Sequence, residues 1–322
     1  MAEKFVSRRA EVGVAKESTR GTPVNPTHWI PWSSASLIDV ITKARETSGM
    51  GRLEGSDSSY IVNKSGEGDI EAEVRDAYLG LIFTSLAGAS PSSTGSTNYV
   101  HTYTLQQDNM HQSLSFLVQT PSDTGVARMF PNAVVDKWAL KIEPGNIVTN
   151  TISIKSVDGR DWTRQTASYT SLGEKYLPQH LSLKVATDIA GLAAASKISV
   201  KALELTIEKN AETDNVLGTL SPEDVNNKEL KVSGSLTLNF EDQTWLDYML
   251  AGSYKAMEIK LTQGSNNYFT FQMPRVDFEG WKSDLALSEI AKQSLDFTAN
   301  YDAANALAVI STWTLANQVA SY

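Results

Sequence analysis

Residue types that could support catalysis or metal binding are sparse in this chain and poorly arranged for either task. Its 322 residues include no cysteine and four histidines, which are His28, His101, His111 and His180. No two histidines have the HExxH spacing of a helical zinc site, and no thiolate could complete another kind of metal site. No serine lies in the G-x-S-x-G sequence typical of a hydrolase nucleophile. The sequence therefore predicts no metal site, no cofactor and no enzyme.

Two pairs of side chains have a functional interpretation beside a structural one. Glu71 and Glu73 alternate along a predicted strand and could act as paired carboxylates, but the matching positions later in the chain are threonine and asparagine. Trp138 and Trp281 lie at matched positions and could stack on sugar rings. A duplicated aromatic residue is more often part of a duplicated core, and that interpretation is favoured.

The matched positions arise from a pattern that occurs twice. Residues 68–88 and 234–252 each contain an alternating strand, an aspartate at the expected helix N-cap (Asp76 or Asp242), an apolar helical face and a closing glycine. Residues 36–76 align without a gap on residues 202–242, and Trp138 aligns with Trp281 further on. Such a long ordered match predicts an internal duplication.

The predicted fold is mainly β, with two tandem copies of an antiparallel β-sandwich or barrel, each flanked by one α-helix. Extended arms are expected at both termini. The predicted boundaries are an N-terminal arm at 1–34, a first copy at 35–159, a linker at 160–196, a second copy at 197–302 and a C-terminal arm at 303–322. The alternating apolar residues of the C-terminal arm could add a strand to a neighbour.

Composition excludes several classes of protein. The net charge of −9 and the isoelectric point near 5.1 argue against a surface that grips nucleic acid. No apolar run approaches the length of a membrane helix, and the charged N-terminus is unlike a signal peptide. The absence of cysteine fits synthesis in a reducing cytoplasm. The protein is therefore expected to be made in the cytosol and to stay there unless an assembly carries it out.

Three segments together resemble a known family. They are VGVAKESTRGTPVNPTHWIPW near the N-terminus, GDIEAEVRDAYLGLIFTSLAG and HTYTLQQDNMHQSLSFLV. This sequence resembles the major tail tube proteins of tailed bacteriophages with long non-contractile tails. The resemblance implies a β-sandwich or barrel with a flanking helix, of which six domain copies form a ring around a channel. This sequence is similar to the family variant that carries two copies of the domain and closes its ring with three chains.

The resemblance also implies a function and partners. Stacked rings would form the virion tail tube, through which duplex DNA passes into the host without being tightly bound. The implied protein partners are further copies of this chain, a tape measure protein, a tail terminator and a distal tail protein. Assembly would follow synthesis in the host cytoplasm. A contractile-tail or type VI-like secretion tube and a duplicated carbohydrate-binding module remain as alternatives.

Candidate assembly residues follow from the loops and from one strand. The long loops at 54–68 and 220–234 have equal length but different sequences, which favours a role in reaching the next ring. Their candidate contact residues are Gly55, Ser59, Tyr60, Ile61, Asn63, Glu223, Asp224, Asn226 and Asn227. On the strand at 201–209, Leu203, Leu205 and Ile207 are expected to face the core. The opposite face, with the channel as one candidate environment, carries Glu204, Thr206 and Glu208.

Overall fold

The computed structural model describes residues 4–55, 58–121, 127–169, 172–285, 287 and 290–322. Strands make up 50% of the chain and helices 9%, so the fold is mainly β and antiparallel, as the sequence predicts. The α-helices of the described ranges are α1 (Asp76–Ala87) and α2 (Thr244–Leu250). Short 3-10 helices occur at Ser7–Arg9, Pro178–His180 and Ala190–Ala193.

Strands run through both halves of the chain. The first half contains β1 (Glu11–Lys16), β2 (His28–Ile30), β3 (Trp32–Ala35), β4 (Ile38–Arg45), β5 (Ser59–Glu73), β6 (Ser92–Gly95), β7 (Tyr99–Tyr103), β8 (Leu114–Gln119), β9 (Ala127–Ile142), β10 (Thr149–Ser156) and β11 (Arg160–Trp162). The second half contains β12 (Leu181–Ala186), β13 (Val200–Glu208), β14 (Glu212–Asp214), β15 (Asp224–Asn226), β16 (Lys231–Asn239), β17 (Lys255–Gln263), β18 (Asn267–Asp284), β19 (Lys292–Asn300) and β20 (Thr312–Asn317).

Eight strands form one continuous antiparallel ladder that crosses both halves. Its order is β4–β5–β10–β9–β13–β16–β19–β18, so each half contributes four strands. Buried and accessible residues alternate along these strands; in β10, for example, Ile152 and Ile154 are buried whereas Thr151 and Ser153 are partly exposed. The ladder therefore has a core face and an accessible polar face.

The core face is covered by α1 and by further strands. β9 continues beyond the ladder to pair with β8, which pairs with β1, and β18 likewise pairs with β17, which pairs with β12. Phe83 of α1 lies edge-on to Trp138, Phe271 and Trp313, with ring centroids 5.4, 5.5 and 5.3 Å away. Because these rings come from both halves, the halves share one core around α1.

Three segments predicted to be arms or linker contain strands of the main sheet. β1 lies in the predicted N-terminal arm, and β12 lies in the predicted linker. β20 lies in the predicted C-terminal arm and pairs with β18 and β7 of its own chain instead of a neighbour. β1 has four consecutive buried residues at 12–15. It therefore lacks the alternation of apolar and polar residues that identifies a strand with one exposed face.

The helices begin differently from the prediction that Asp76 and Asp242 are N-caps. Asp76 is the first residue of α1, and its carboxylate accepts a hydrogen bond from the backbone N–H of Glu174 at 2.8 Å. Asp242 accepts one from the N–H of Thr244 at 2.9 Å, yet the N-cap position of α2 belongs to the next residue. Each helix is followed by a glycine with positive φ, as predicted. The two helices differ in length, with 12 residues in α1 and 7 in α2.

The strand pairings of the second half repeat those of the first in the same order. Ile70 faces Ile152 across β5 and β10, and Leu236 faces Leu295 across β16 and β19. β9 and β18 each carry a bulge at the corresponding point of their ladders with β10 and β19. β1, β5, β8, β9 and β10 thus have β12, β16, β17, β18 and β19 as counterparts.

The gap-free alignment predicted for the first strand of each half is wrong by two residues. A Cβ atom added at Gly68 would collide with the carbonyl oxygen of Ser36, and one added at Gly234 would collide with that of Glu204. Ser36 of the β3–β4 segment therefore corresponds to Glu204 of β13, an offset of 168, whereas Gly68 and Gly234 differ by 166. A shift of two residues keeps every side chain on the same face, so hydrophobic alternation could not reveal it.

Candidate assembly interface

The two halves of the ladder meet edge to edge where β9 pairs with β13. The pairing runs from Leu203 facing Ile142 to Glu208 facing Lys137. Buried aliphatic side chains line its core face, since Leu203 is fully buried and Ile142 is 3% exposed. This junction is a strand-to-strand contact of the kind that can also form between separate chains.

A buried lysine fixes the end of β13 against the first helix. The Nζ of Lys209 donates a hydrogen bond to the carbonyl oxygen of Ser85 in α1 at 2.8 Å, and the residue is 1% exposed. Burial lowers the pKa of Lys209 well below its ordinary value, an effect that the nearby Asp136 carboxylate opposes. A polar group therefore occupies this part of the junction.

The predicted channel-facing residues Glu204, Thr206 and Glu208 lie together on the accessible face of β13, and the intervening leucines and isoleucine are buried. Lys141 faces Glu204 directly across the junction, with their charged groups 3.6 Å apart, and Lys137 faces Glu208. Cross-strand pairs of this kind offset each other's charge but add little stability when exposed. Orientation towards a channel stays a prediction.

The ladder ends in two strand edges that have no partner within the described residues. β4 pairs with β5 along one edge only, and β18 from Asp277 to Asp284 pairs only with β19. Ile38 on β4 is 61% exposed, and Leu285 after β18 is 74% exposed. Unpaired N–H and C=O groups beside exposed apolar side chains are a template for pairing with another chain.

The sequence match with known families agrees with this assembly-competent architecture. Residues 7–299 match the family model described as phage tail tube protein. The chain belongs to the phage tail tube protein family. It is a structural component of the phage virion, as its resemblance implied, and the match spans the junction and both free edges. No curated protein matches the chain closely enough to add a more specific relative.

Helices that could cross a membrane are absent from the described ranges of this tail tube protein.

The first predicted ring-stacking loop is a projecting β-hairpin. It carries five of the predicted residues, namely Gly55, Ser59, Tyr60, Ile61 and Asn63. All but Gly55 lie on β5 and are paired with β4, whereas positions 56 and 57 lie outside the described residues. Tyr60 is 62% exposed and Ile61 39% exposed, so these apolar groups are open to contact by another molecule.

The second predicted ring-stacking loop folds back onto the first half. It carries the other four predicted residues, Glu223, Asp224, Asn226 and Asn227. Asp224 accepts hydrogen bonds from Nε of Arg20 at 2.8 and 3.0 Å and from Nδ2 of Asn132 at 2.8 Å. The N–H of Asn227 donates to the carbonyl oxygen of Asn109 at 3.0 Å. Two of the four residues, Asp224 and Asn227, are therefore hydrogen-bonded to the first half of the same chain.

The candidate chemical groups occupy structural positions. Nδ1 of His101 lies 2.7 Å from Oγ of Ser93, and burial lowers the pKa of this histidine. No group of three or more histidine, aspartate and glutamate residues in the described ranges could hold a metal ion. Glu73 forms an ion pair with Lys175 at 2.6 Å, while Glu71 lies beside it on the accessible face.

The two tryptophans considered as sugar platforms have different environments. Trp138 is fully buried in the core, so a sugar ring cannot stack on it. Trp281 is partly exposed near the free end of β18, where its Nε1 donates to Oε1 of Gln293 at 3.0 Å. The interpretation as a core residue therefore holds for Trp138, but only in part for Trp281.

A buried carboxylate that the sequence did not reveal anchors the segment after β1. Glu17 is 2% exposed and accepts four hydrogen bonds, from Oγ of Ser113 and Ser115 at 2.7 and 2.8 Å and from the N–H groups of Gly21 and Asn132 at 2.8 Å. A carboxylate with this many donors fixes the backbone around it. Glu17 thereby positions the nearby Arg20, which donates hydrogen bonds to Asp224 of the second loop.

Proposed function

We propose that this tail tube protein closes into rings of three chains, which stack into the conduit for the phage genome. The observation that supports the proposal is the relation between the junction and the free edges. β13 and β9 meet inside the chain. The counterpart of β13 is the β3–β4 segment, and the counterpart of β9 is β18. The β4 edge of one chain can therefore meet the β18 edge of the next in the same way, which is a head-to-tail contact.

The internal junction predicts the register of that contact. Applying the offsets between the halves to the pairing of β9 with β13 gives Ala35 with Leu285, Ser36 with Asp284, Leu37 with Ser283, Ile38 with Lys282, Asp39 with Trp281 and Val40 with Gly280. Thr206 and Ala139, the counterparts of Ile38 and Lys282, lie on the accessible face. Ile38 and Lys282 of adjacent chains are therefore expected side by side on the face that lines the ring.

The number of chains follows from the family resemblance, which implies six domain copies per ring. With two copies in each chain, three chains close the ring and join three eight-stranded ladders into a barrel of 24 strands. Barrels of about 16–18 strands already enclose an aqueous channel, so this one would be open. Glu204 and Glu208 would face the lumen beside Lys141 and Lys137, a wall that does not hold DNA by counterion release.

Stacking is assigned to the tip of the projecting hairpin. Met50 is 55% exposed and Leu53 fully exposed, and neither is needed for the ladder itself. A tape measure protein in the lumen and a tail terminator and distal tail protein at the tube ends complete the proposed assembly. No contact within the described residues favours a contractile-tail tube or a carbohydrate-binding module over this function.

Cysteine cross-linking tests the ring directly, because the natural chain has no cysteine. Facing residues of an antiparallel pair have Cα atoms about 4.5–5.5 Å apart, within the range of a disulfide. The variant with Ile38→Cys and Lys282→Cys is assembled, oxidised and separated in denaturing gels. Bands of two and three linked chains are expected, with none larger.

The matched control combines Ile38→Cys with Ser283→Cys. A step of one residue turns the second thiol to the opposite face of the sheet, so cross-linking should be lost. Bands that continue to six chains would contradict a ring of three. Equal cross-linking in the control would contradict the register.

A further inference from the structure

The two halves contain equivalent β-hairpins, of which one is docked and the other projects. In the docked hairpin, residues 209–230, Thr213 faces Val225. In the projecting hairpin, residues 41–64, Arg45 faces Ser59. Arg45 and Thr213 differ by 168 and Ser59 and Val225 by 166, the same offsets that relate Ser36 to Glu204 and Gly68 to Gly234. The hairpins are therefore equivalent up to these facing pairs, and the two extra residues of the projecting hairpin lie between Arg45 and Ser59.

The docked hairpin buries one face against the first half. Val225 is fully buried with Val134 and Val157 of that half. Lys209 is buried against the end of α1, and Asn227 is 8% exposed beside the segment that leads into β8. Residues at these positions are thus covered by the body of the neighbouring domain.

The projecting hairpin has isoleucine at two of the covered positions. Ile41 is the counterpart of Lys209 and is 47% exposed, and Ile61 is the counterpart of Asn227 and is 39% exposed. Near its base the hairpin touches the docked one, where the N–H of Lys64 donates to the carbonyl oxygen of Leu220 at 2.8 Å. Apolar side chains are exposed at positions that are covered in the equivalent hairpin, which indicates a missing partner.

The second half has the surface that such a hairpin would need. Residues of α1 are buried throughout, whereas α2, which lies wholly in the described part, has no buried residue. At the end of α2, where alignment of Gly252 with Gly88 makes Leu250 the counterpart of the fully buried Leu86, Leu250 is 72% exposed. Tyr254 nearby is 43% exposed, with the guanidinium of Arg275 over its ring at 3.7 Å.

We infer that the projecting hairpin of one chain docks at the end of α2 in the next chain, with Ile41 and Ile61 against the exposed surface at Leu250 and Tyr254. The occupant is a second copy of this chain, because the docked hairpin already makes the equivalent contact inside the chain. This inference rests on the proposed ring, since pairing of β4 with β18 brings the two surfaces together. It gives the hairpin base a lateral contact within a ring, while its tip remains free for stacking.

Adjacent positions on β5 provide a matched test. Ile61 and Val62 are similarly exposed in the single chain, at 39% and 48%. Ile61 faces Lys43, whereas Val62 is the residue left unpaired at a bulge between β4 and β5. Lys228, the counterpart of Val62, keeps an exposed side chain in the docked hairpin. Ile61→Asp should therefore raise the protein concentration needed for half-maximal assembly by at least about tenfold, and Val62→Asp should change it much less.

The melting temperature of the unassembled chain should be unchanged in both variants, and the pair Ile61→Ser and Val62→Ser repeats the comparison with a smaller perturbation. Equal effects at the two positions, or none at either, would overturn the inference. Failure of the ring itself has a different signature, because the cysteine pair at positions 38 and 282 would then not cross-link in the otherwise natural chain. Cross-linking that persists while Ile61→Asp and Val62→Asp behave alike would reject the docking site alone.

Discussion

Replacement of Asp76 by asparagine is expected to change the pH dependence of folding. Burial raises the pKa of this carboxyl to about 6, although hydrogen bonds from Asn267 and from the N–H of Glu174 partly oppose the rise. In the unfolded chain the value returns to the ordinary 3.8. Because the folded state holds the proton more tightly, the contribution of Asp76 to stability is greatest below pH 3.8 and falls as the pH rises through 6. At 1.36 kcal/mol per pH unit, the loss amounts to about 3 kcal/mol at neutral pH.

Asp76→Asn removes this loss and keeps the shape of the side chain. Its amide oxygen can still accept from Glu174, and the altered contact with Asn267 costs about 1 kcal/mol. The variant should therefore be about 1 kcal/mol less stable than the natural chain near pH 4 and about 2 kcal/mol more stable at pH 7.5. Urea unfolding of the unassembled chain across this range measures the difference.

A control with the opposite sign exists at Asp302. A hydrogen bond from Asn305 lowers the pKa of Asp302, so its ionised form stabilises the folded state above the ordinary pKa. Asp302→Asn should lose stability as the pH rises, whereas Asp76→Asn should gain it relative to the natural chain. A difference between Asp76→Asn and the natural chain that stays constant from pH 4 to pH 7.5 would refute the assigned role of burial.

Three further outcomes are expected. Arg20→Met removes charge-assisted hydrogen bonds to Asp224 and should lower the free energy of unfolding by about 2 kcal/mol. A double-mutant cycle with Asp224→Asn should show coupling between the two residues, whereas additive effects would contradict a direct interaction. Gly234→Ala should destabilise the chain by about 1–3 kcal/mol in thermal unfolding because its Cβ meets a neighbouring carbonyl oxygen, whereas Gly55→Ala, in open space, should be neutral. Replacing residues 48–54 by a tight turn should leave folding and ring cross-linking intact and abolish tubes in electron micrographs; tubes of normal length would argue against stacking by this tip.

The sequence predicted the mainly β fold and the faces of its ladder strands because alternation is a direct record of one-sided burial. Glu204, Thr206 and Glu208 fall on the accessible face for this reason. β1 was missed because both of its faces are covered, so its residues at 12–15 are uniformly buried. A strand can be recognised from sequence only when its two faces differ in polarity, and the two faces of β1 do not differ.

Long-range contacts set the limits of prediction at the candidate site. Asp76 has the residue type and spacing of an N-cap, but its carboxylate bonds to the backbone of Glu174, which lies 98 residues later. Asp224 was expected to reach another ring and instead bonds to Arg20, which lies 204 residues earlier. Local patterns identify such side chains as good acceptors and carry no information about which distant donor the fold supplies.

The two hairpins carry different residues at positions that are equivalent in the fold. A contact between separate chains must overcome the loss of translational and rotational freedom, estimated at about 4–15 kcal/mol, whereas a contact within one chain does not. Positions expected at the contact between chains carry Ile38, Ile41 and Ile61. Their counterparts inside the chain are a threonine, Lys209 and an asparagine.

Each of these differences increases apolar area where no covalent tether assists association. A buried lysine is tolerated inside the chain because the linked halves are always close enough to complete its hydrogen bond to Ser85. An untethered partner would have to desolvate that charge on each encounter, at a cost that an isoleucine does not incur. The differences between the hairpins are therefore those expected when one of two equivalent contacts forms during folding and the other forms on assembly.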